Sequence, residues 1–273
     1  MTTFHALILG TVQGLTEFFP VSSTGHLILA QTLLGIPSHP NDDLAMIILL
    51  HAGTLLALLL CYMQTWWSLL TAPLRGDRQQ SRMLLMLIIA TVPVGVVGFF
   101  FKDVIANAAE YSTVLATEFF MNACILILGE AAVHPEGRLS RFFHRIIHRS
   151  STISIPAALG IGIAQALALS PALSRSGLTI TAGRFAGLSR REALDFSFLM
   201  ATPAIAGAVT LMAVDVLNGG VHLPVSSVSA AGFVASFLAS VFAILFLRAF
   251  VSRYSLSWFA IYLFFLSGFI IMY

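Results

Sequence analysis

Two short polar stretches hold most of the residues that could take part in chemistry. Residues 17–26 contribute a carboxylate, an imidazole and three hydroxyls: Glu17, His26, Ser22, Ser23 and Thr24. Residues 174–179 contribute a guanidinium and three hydroxyls: Arg175, Ser174, Ser176 and Thr179. Each stretch lies inside a long apolar run, where ionisable groups are costly to bury and therefore usually mark function.

The ligand that these groups suit best is a phosphate or a pyrophosphate. A guanidinium pairs with phosphate oxygens through two parallel hydrogen bonds, and hydroxyls add further polar contacts. Gly25 and Gly177 allow the backbone to turn and to approach a ligand closely. A helix that starts at such a turn points N–H donors and the positive end of its dipole at one spot. The pattern predicts an anion site.

The same residues can move protons. Glu17 can act as an acid or a base, or it can bind Mg²⁺ or Ca²⁺ together with phosphate oxygens. His26 lies nine residues later, beyond the break, and can transfer a proton or attack phosphorus itself. Attack by Ser23, attack by His26 and direct attack by water all stay open at this point.

The composition describes the scaffold that must position these groups. Of 273 residues, 58% are hydrophobic and only 10% are charged, and the mean hydropathy is +0.92. Soluble domains are about 25% charged, so a soluble enzyme, a disordered chain and a disulfide-linked secreted domain are excluded. A net charge of +2 is too small to indicate nucleic acid as a partner. The sequence predicts an all-α polytopic protein of the lipid bilayer.

Six apolar runs are long enough to cross a bilayer as helices: 44–63, 83–101, 113–133, 196–217, 228–250 and 255–273. Two further apolar stretches, 4–36 and 153–188, are interrupted by Pro, Ser and Gly, and their arms are too short to span. Short broken helices occur at membrane depth only where they are buried in protein or line a wet cavity. We interpret both as re-entrant helical hairpins.

The two interrupted stretches resemble each other. Sliding the first by 152 positions produces seven identities, which fall at Gly10, Gln13, Leu15, Ser22, Gly25, Ile28 and Ala30. We interpret residues 1–273 as one membrane domain with two repeats, about 1–133 and about 153–273, joined by the basic loop 134–152. Each repeat has a hairpin and three transmembrane helices. Because three is odd, the second repeat is expected to be inverted, with the site where the hairpins meet.

The distribution of Lys and Arg predicts the orientation. The predicted loops 64–82, 134–152, 189–195 and 248–255 hold eleven basic residues, and the opposite side holds only Lys102. Short cytoplasmic loops carry the excess of positive charge. We therefore expect both termini on the outer side of the membrane.

Three other ionisable residues, His51, Glu118 and Glu130, lie within predicted spans without a motif around them. Helix-packing hydrogen bonds are as good an interpretation of the two glutamates as a functional role.

The runs QGLTEFFPVSSTGH (13–26) and SPALSRSGLT (170–179) resemble the two signature motifs of the undecaprenyl pyrophosphate phosphatase family of the bacitracin-resistance type. The resemblance extends over essentially the whole chain. It implies a bacterial inner-membrane enzyme that hydrolyses C55 polyprenyl pyrophosphate to the monophosphate, for reuse in cell-wall synthesis. It also implies inverted repeats around a pocket open to the periplasm. Together with the orientation that the basic residues predict, an inner-membrane location places the N- and C-termini in the periplasm.

The resemblance also implies roles for single residues. The catalytic set comprises Glu17, Ser23, His26 and Arg175. The substrate-binding set comprises Gln13, Ser22, Thr24, Gly25, Ser174, Ser176, Gly177 and Thr179. Two positions depart from the family pattern. Gln13 replaces an acid and Ala172 replaces a glycine, so we expect a metal at Glu17 to be held weakly or mainly by the substrate.

A transporter is the alternative function. Inverted repeats with broken helices are common among secondary transporters. In this hypothesis the chain moves polyprenyl phosphate between leaflets, with Glu17 or His26 coupling protons. The sequence leaves the oligomeric state open, a homo-oligomer included.

Overall fold

The computed structural model describes residues 1–36, 40–100, 112–131, 153–170, 173–218 and 226–272. This part of the chain forms eleven helices: α1 (Thr3–Phe18), α2 (Ser23–Leu33), α3 (Pro40–Cys61), α4 (Met63–Arg75), α5 (Arg78–Phe100), α6 (Ser112–Ala131), α7 (Ile155–Leu167), α8 (Arg175–Phe185), α9 (Arg190–Asn218), α10 (Ser227–Phe250) and α11 (Ser257–Met272). The basic loop 134–152, Lys102 and Ala172 lie outside the described residues.

The helices are those of a multi-pass membrane protein. Four of them, α5, α6, α9 and α10, are long and apolar enough to cross a bilayer. The pair α3 and α4 forms a fifth span if it is counted as one broken helix, with a bend of 68°. All six predicted runs fall on helices, but α11, within the predicted run 255–273, has only 16 residues.

Residues 63–75 differ from the predicted loop over 64–82, because they form helix α4. Its exposed side carries large apolar residues, Trp67, Leu70 and Leu74. The helix ends at Gly76, whose φ of 67° is the left-handed conformation that glycine adopts readily. The basic residues that suggested a loop lie at and beyond the end of this helix.

Both predicted interruptions lie at the expected places. The first separates α1 from α2, and the second separates α7 from α8. At the first, Phe19 has an extended backbone before Pro20, and a residue before proline is disfavoured in a helix. Ser22 and Ser174 then cap the two new helices. The polar residues of both stretches therefore lie at or near a helix start, except Glu17, which lies in the last turn of α1.

Small residues allow the broken helices to pack closely against long ones. On α1, Gly10 and Gly14 face the backbone oxygens of Gly232 and Ser236 on α10. Helices in membranes often approach closely through glycine, alanine and serine. On α7, Gly162 meets the backbone of α5 in the same way. These contacts hold α1 and α7 in place within the bundle.

Two ion-pair clusters lie outside the interrupted segments. Glu130 accepts hydrogen bonds from Arg190, with Oε2 at 2.6 Å from Nη2, which confirms a packing interaction for this glutamate. Asp195 accepts a hydrogen bond from the Tyr62 hydroxyl at 2.6 Å and one from Arg191 at 2.9 Å. Since Tyr62 lies between α3 and α4, the second cluster ties their bend to α9.

Candidate active site

A cavity of about 430 Å³ lies between the two broken helix pairs. Its polar lining contains a carboxylate, a guanidinium, an imidazole, an amide and several hydroxyls, from Glu17, Arg175, His51, Gln165, Ser22, Ser23, Thr24, Ser170 and Ser174. The remaining wall is mostly apolar and includes Val94 of α5 and Ile205 and Met212 of α9. Residues from both polar stretches therefore share one cavity.

Glu17 is the centre of the polar lining. Its Oε1 accepts a hydrogen bond from Nη2 of Arg175 at 2.6 Å. Its Oε2 accepts hydrogen bonds from Oγ of Ser23 at 2.6 Å and from Nε2 of Gln13 at 3.0 Å. The side chain of Glu17 is only 7% exposed, so this is a desolvated ion pair in which the loss of one partner is costly.

The helix starts determine where the two key side chains lie. Ser23 is the first residue of α2 and Arg175 is the first residue of α8. The preceding serines cap these helices: Oγ of Ser22 accepts from the Gly25 amide at 3.3 Å, and Oγ of Ser174 accepts from the Gly177 amide at 3.1 Å. Both positive helix ends therefore approach one carboxylate, which favours negative charge there.

His51 of α3 is a site residue that the motifs did not identify. Its Nε2 lies 3.8 Å from Oε2 of Glu17, and its Nδ1 lies 2.8 Å from the carbonyl oxygen of Ile47. Because a carbonyl only accepts, Nδ1 carries a proton, and Nε2 is the ring nitrogen that faces Glu17. The signal in the sequence was an imidazole within an apolar span.

We expected His26 to share a pocket with Glu17, but His26 is not among the residues that line the cavity. Its Nδ1 donates to the carbonyl oxygen of Ser22 at 2.6 Å, so Nε2 accepts from the Tyr262 hydroxyl at 2.7 Å. The ring stacks on Tyr262 and meets Phe119 edge-on. Both ring nitrogens are engaged, and the ring joins α2 to α6 and α11.

Ser176 and Thr179 brace the second helix pair. Ser176 donates from Oγ to the carbonyl oxygen of Phe19 at 2.9 Å, which joins the start of α8 to the end of α1. Thr179 donates to the carbonyl oxygen of Arg175 at 2.8 Å, and its Oγ1 lies 2.6 Å from Oγ of Ser197 on α9. These contacts fix the position of Arg175.

Gly25 and Gly177 make close packing contacts. A Cβ added at Gly25 would lie 2.6 Å from the ring of Phe119, and one added at Gly177 would lie 2.9 Å from Oδ1 of Asn122. Both glycines therefore allow α2 and α8 to approach α6. Asn122, which the motifs did not identify, also donates to the carbonyl oxygen of Pro20 at 3.0 Å and holds the first break.

Glu118 contributes a second carboxylate near the cavity. It accepts a hydrogen bond from Ser170, which lies in the lining. This contact supports the packing interpretation of Glu118, since the carboxylate engages a hydroxyl at the end of α7.

The residues around Glu17 do not fit a resident divalent cation. Mg²⁺ and Ca²⁺ need about six or more oxygen ligands. Both oxygens of Glu17 already accept hydrogen bonds, and within the described residues no three His, Cys, Asp or Glu side chains come together.

The fold and the cavity together define a class of protein. It is a helical multi-pass membrane protein with a buried polar site between two broken helix pairs, where a guanidinium and two helix N-termini provide positive charge. Comparison with known proteins identifies the family. The chain belongs to the family described as bacitracin resistance protein BacA, whose sequence model matches residues 6–269.

Curated relatives match nearly end to end. The undecaprenyl-diphosphatase of Thermodesulfovibrio yellowstonii is 36% identical over 264 residues, which cover 97% of this chain and 94% of the relative. The undecaprenyl-diphosphatase of Rubrobacter xylanophilus is 38% identical over 271 residues, covering 97% and 95%. Undecaprenyl-diphosphatase 3 of Bacillus cereus is 35% identical over 276 residues, covering 100% and 97%.

Proposed function

We propose that this protein is a phosphatase that hydrolyses undecaprenyl pyrophosphate to the monophosphate and inorganic phosphate. The relatives named undecaprenyl-diphosphatase match over almost their full length. The observation in this chain that carries the proposal is the contact of Glu17 with Arg175 and Ser23 inside the cavity. The product is the lipid carrier that cell-wall synthesis uses again.

Arg175 is the residue proposed to bind the pyrophosphate. Its guanidinium matches phosphate oxygens in a bidentate manner. In phosphoryl transfer, positioning and electrostatic stabilisation provide most of the catalysis. Substrate phosphates compete with Glu17 for the guanidinium, so substrate binding loosens the ion pair and leaves the carboxylate free to accept a proton.

Ser23 is the nucleophile that the contacts favour. Its hydroxyl already donates to Oε2 of Glu17 at 2.6 Å, as a nucleophile does to its general base. In the proposed reaction Glu17 takes this proton while Oγ attacks the terminal phosphorus and undecaprenyl phosphate leaves. Water then hydrolyses the phosphoserine and releases inorganic phosphate. His51, 3.8 Å from the same oxygen, is placed to receive the proton from Glu17.

We propose that His26 positions the start of α2 and does not contact the substrate. Its two ring nitrogens contact Ser22 and Tyr262, so its influence on catalysis runs through the residue before Ser23. A divalent cation, if the reaction uses one, is proposed to arrive with the substrate phosphates.

The apolar part of the cavity wall suits the lipid. Val94, Leu169, Ile205, Ala208 and Met212 surround the polar floor. The headgroup is proposed to enter the polar end while the first isoprene units contact these side chains. The rest of the chain stays between helices in the bilayer.

We further propose that the two halves are inverted repeats with re-entrant hairpins. Two pairs of matching contacts support this. Ser22 and Ser174, 152 positions apart, cap α2 and α8 in the same way. Gly10 of α1 meets α10 as Gly162 of α7 meets α5. In this arrangement the termini lie on the periplasmic side of the inner membrane, and cysteine labelling at residues 2 and 272 in intact cells tests it.

The experiment that tests the function is phosphate release from C55 pyrophosphate by purified protein in detergent. Release by the wild type and its loss in Arg175→Ala support the phosphatase. Binding without release, together with movement of C55 phosphate between leaflets of liposomes, would support the transporter instead.

A further inference from the structure

Gln165 of α7 is a buried amide that no interaction explains. It is 1% exposed and lies in the cavity wall. Neither its Oε1 nor its Nε2 has a hydrogen-bond partner among the described residues. A buried amide without partners is costly, and such groups in native structures call for an explanation.

Comparison with the first helix pair shows what is different at Gln165. Its counterpart 152 positions earlier is Gln13, whose Nε2 donates to Glu17 one helical turn later. The residue equivalent to Glu17 is Leu169, which offers no acceptor. The partner of the amide is therefore missing in the second pair, while the amide itself is present.

We propose that Gln165 is a substrate-binding residue whose Nε2 donates to an oxygen of the pyrophosphate group. Arg175 lines the same cavity, and its Nη1 also has no partner among the described residues. An anion between these two side chains would accept hydrogen bonds from Nε2 of Gln165 and Nη1 of Arg175. The ligand class is a pyrophosphate, free or lipid-linked. The identity of the lipid substrate rests on the proposed function, but the anion contact does not.

Ser240 of α10 is the matched control. Its hydroxyl is also fully buried and without a partner among the described residues, but it is not among the cavity-lining residues. If an unsatisfied buried group affected only folding, changes at Gln165 and Ser240 would have the same kind of effect. If Gln165 binds the anion, only its variants change ligand binding.

The first experiment measures binding of inorganic pyrophosphate as a ligand-dependent rise in melting temperature. The wild type and Ser240→Ala should bind alike. Gln165→Met keeps the unbranched shape but removes the donor, and it should weaken binding roughly ten-fold or more. Gln165→Glu keeps the shape and adds a negative charge, so it should weaken binding further at neutral pH. Each variant's unliganded melting temperature shows whether it folds.

The second experiment measures steady-state hydrolysis of C55 pyrophosphate by the same variants. Gln165→Met should raise KM more than it lowers kcat if the contact exists in both the ground and the transition state. Wild-type affinity and KM in both Gln165 variants would overturn the inference and leave the phosphatase proposal intact. Absence of phosphate release by the wild type would instead refute the proposed function, while pyrophosphate binding would still decide the role of Gln165.

Discussion

The two broken helix pairs share their backbone plan but differ in their chemistry. In α1–α2 and α7–α8 the second helix begins at an equivalent position after a serine cap, and the first helix packs through an equivalent glycine. The first pair supplies Glu17, where the second has Leu169. At the first residue after the cap, the first pair supplies Ser23 and the second supplies Arg175.

This difference shows how two helix pairs with matching starts and glycine contacts can contribute different chemical groups to one site. Ser23 and Arg175 are equivalent positions, and both donate to the same carboxylate. The shared plan brings two helix starts together, and the substitutions at equivalent positions then provide a nucleophile on one side and a cation on the other. Changes at Glu17 and at the divergent positions Ser23 and Arg175 should therefore affect activity, and changes at the shared glycines and serine caps should affect stability.

Arg175→Ala should have the largest effect. Removal of the guanidinium should lower phosphate release by about 10³-fold or more, since arginines that stabilise phosphoryl transfer contribute this much. The measurement is kcat for C55 pyrophosphate. Arg191→Ala is the control, because Arg191 pairs with Asp195 outside the cavity, and it should stay near wild-type activity.

Arg175→Ala also leaves Glu17 buried without its counter-charge, which can destabilise the fold. The double variant Glu17→Gln/Arg175→Ala removes both charges and restores neutrality. We expect it to melt higher than Arg175→Ala and to be just as inactive. Appreciable turnover by either folded variant would exclude the proposed role of the guanidinium.

Glu17→Gln should have the next largest effect. The amide keeps the shape of the side chain but cannot accept the Ser23 proton, so kcat should fall by about 10²-fold or more. Glu130→Gln is the control, because Glu130 is paired with Arg190 away from the cavity. Equal activity of the two variants, per folded protein, would remove the carboxylate from the mechanism.

The meeting of the two polar stretches was predictable from the sequence. Arg175 needs a counter-charge in an apolar environment, and Glu17 is the acid of the other interrupted segment. Although the two residues lie 158 positions apart in the chain, their side chains form a hydrogen bond of 2.6 Å. The two interruptions and the seven identities between them could be read directly from the sequence.

Other parts of the site depend on packing and could not be predicted locally. His51 lies in an ordinary apolar helix, and the packing of α3 against α1, α9 and α10 places it near Glu17. The partner of His26 is Tyr262, 236 positions away, which no local pattern indicates. Helix α4 was missed because nearby basic residues suggested a loop.

The shared glycines should affect stability about equally. Gly10→Ala would press a methyl group against the backbone of Gly232, and Gly162→Ala would press one against Ala90. Such overpacking costs about 1–3 kcal/mol, so both melting temperatures in detergent should fall by a similar amount. Gly160→Ala is the control on α7, since nothing lies within 4 Å of its added Cβ, and it should melt at or above the wild type. A lower melting temperature in only one of the variants Gly10→Ala and Gly162→Ala would contradict the equivalence of the two broken helix pairs.

Replacing the two cap serines by glycine should have the smallest effect on the melting temperature. Ser22 has a φ of 72°, whereas Ser174 has a φ of −80°. Replacing a serine cap by glycine costs only a few tenths of a kcal/mol, but glycine also relieves the strain of a positive φ, which is on the order of 1 kcal/mol. Ser22→Gly should therefore leave the melting temperature unchanged or raise it. Ser174→Gly should lower it, because it also loses the contact of Oγ with Ser176 at 3.1 Å. Equal losses in the two variants would mean that the positive φ at Ser22 is not strained, and that the two caps are equivalent in energy as well as in position.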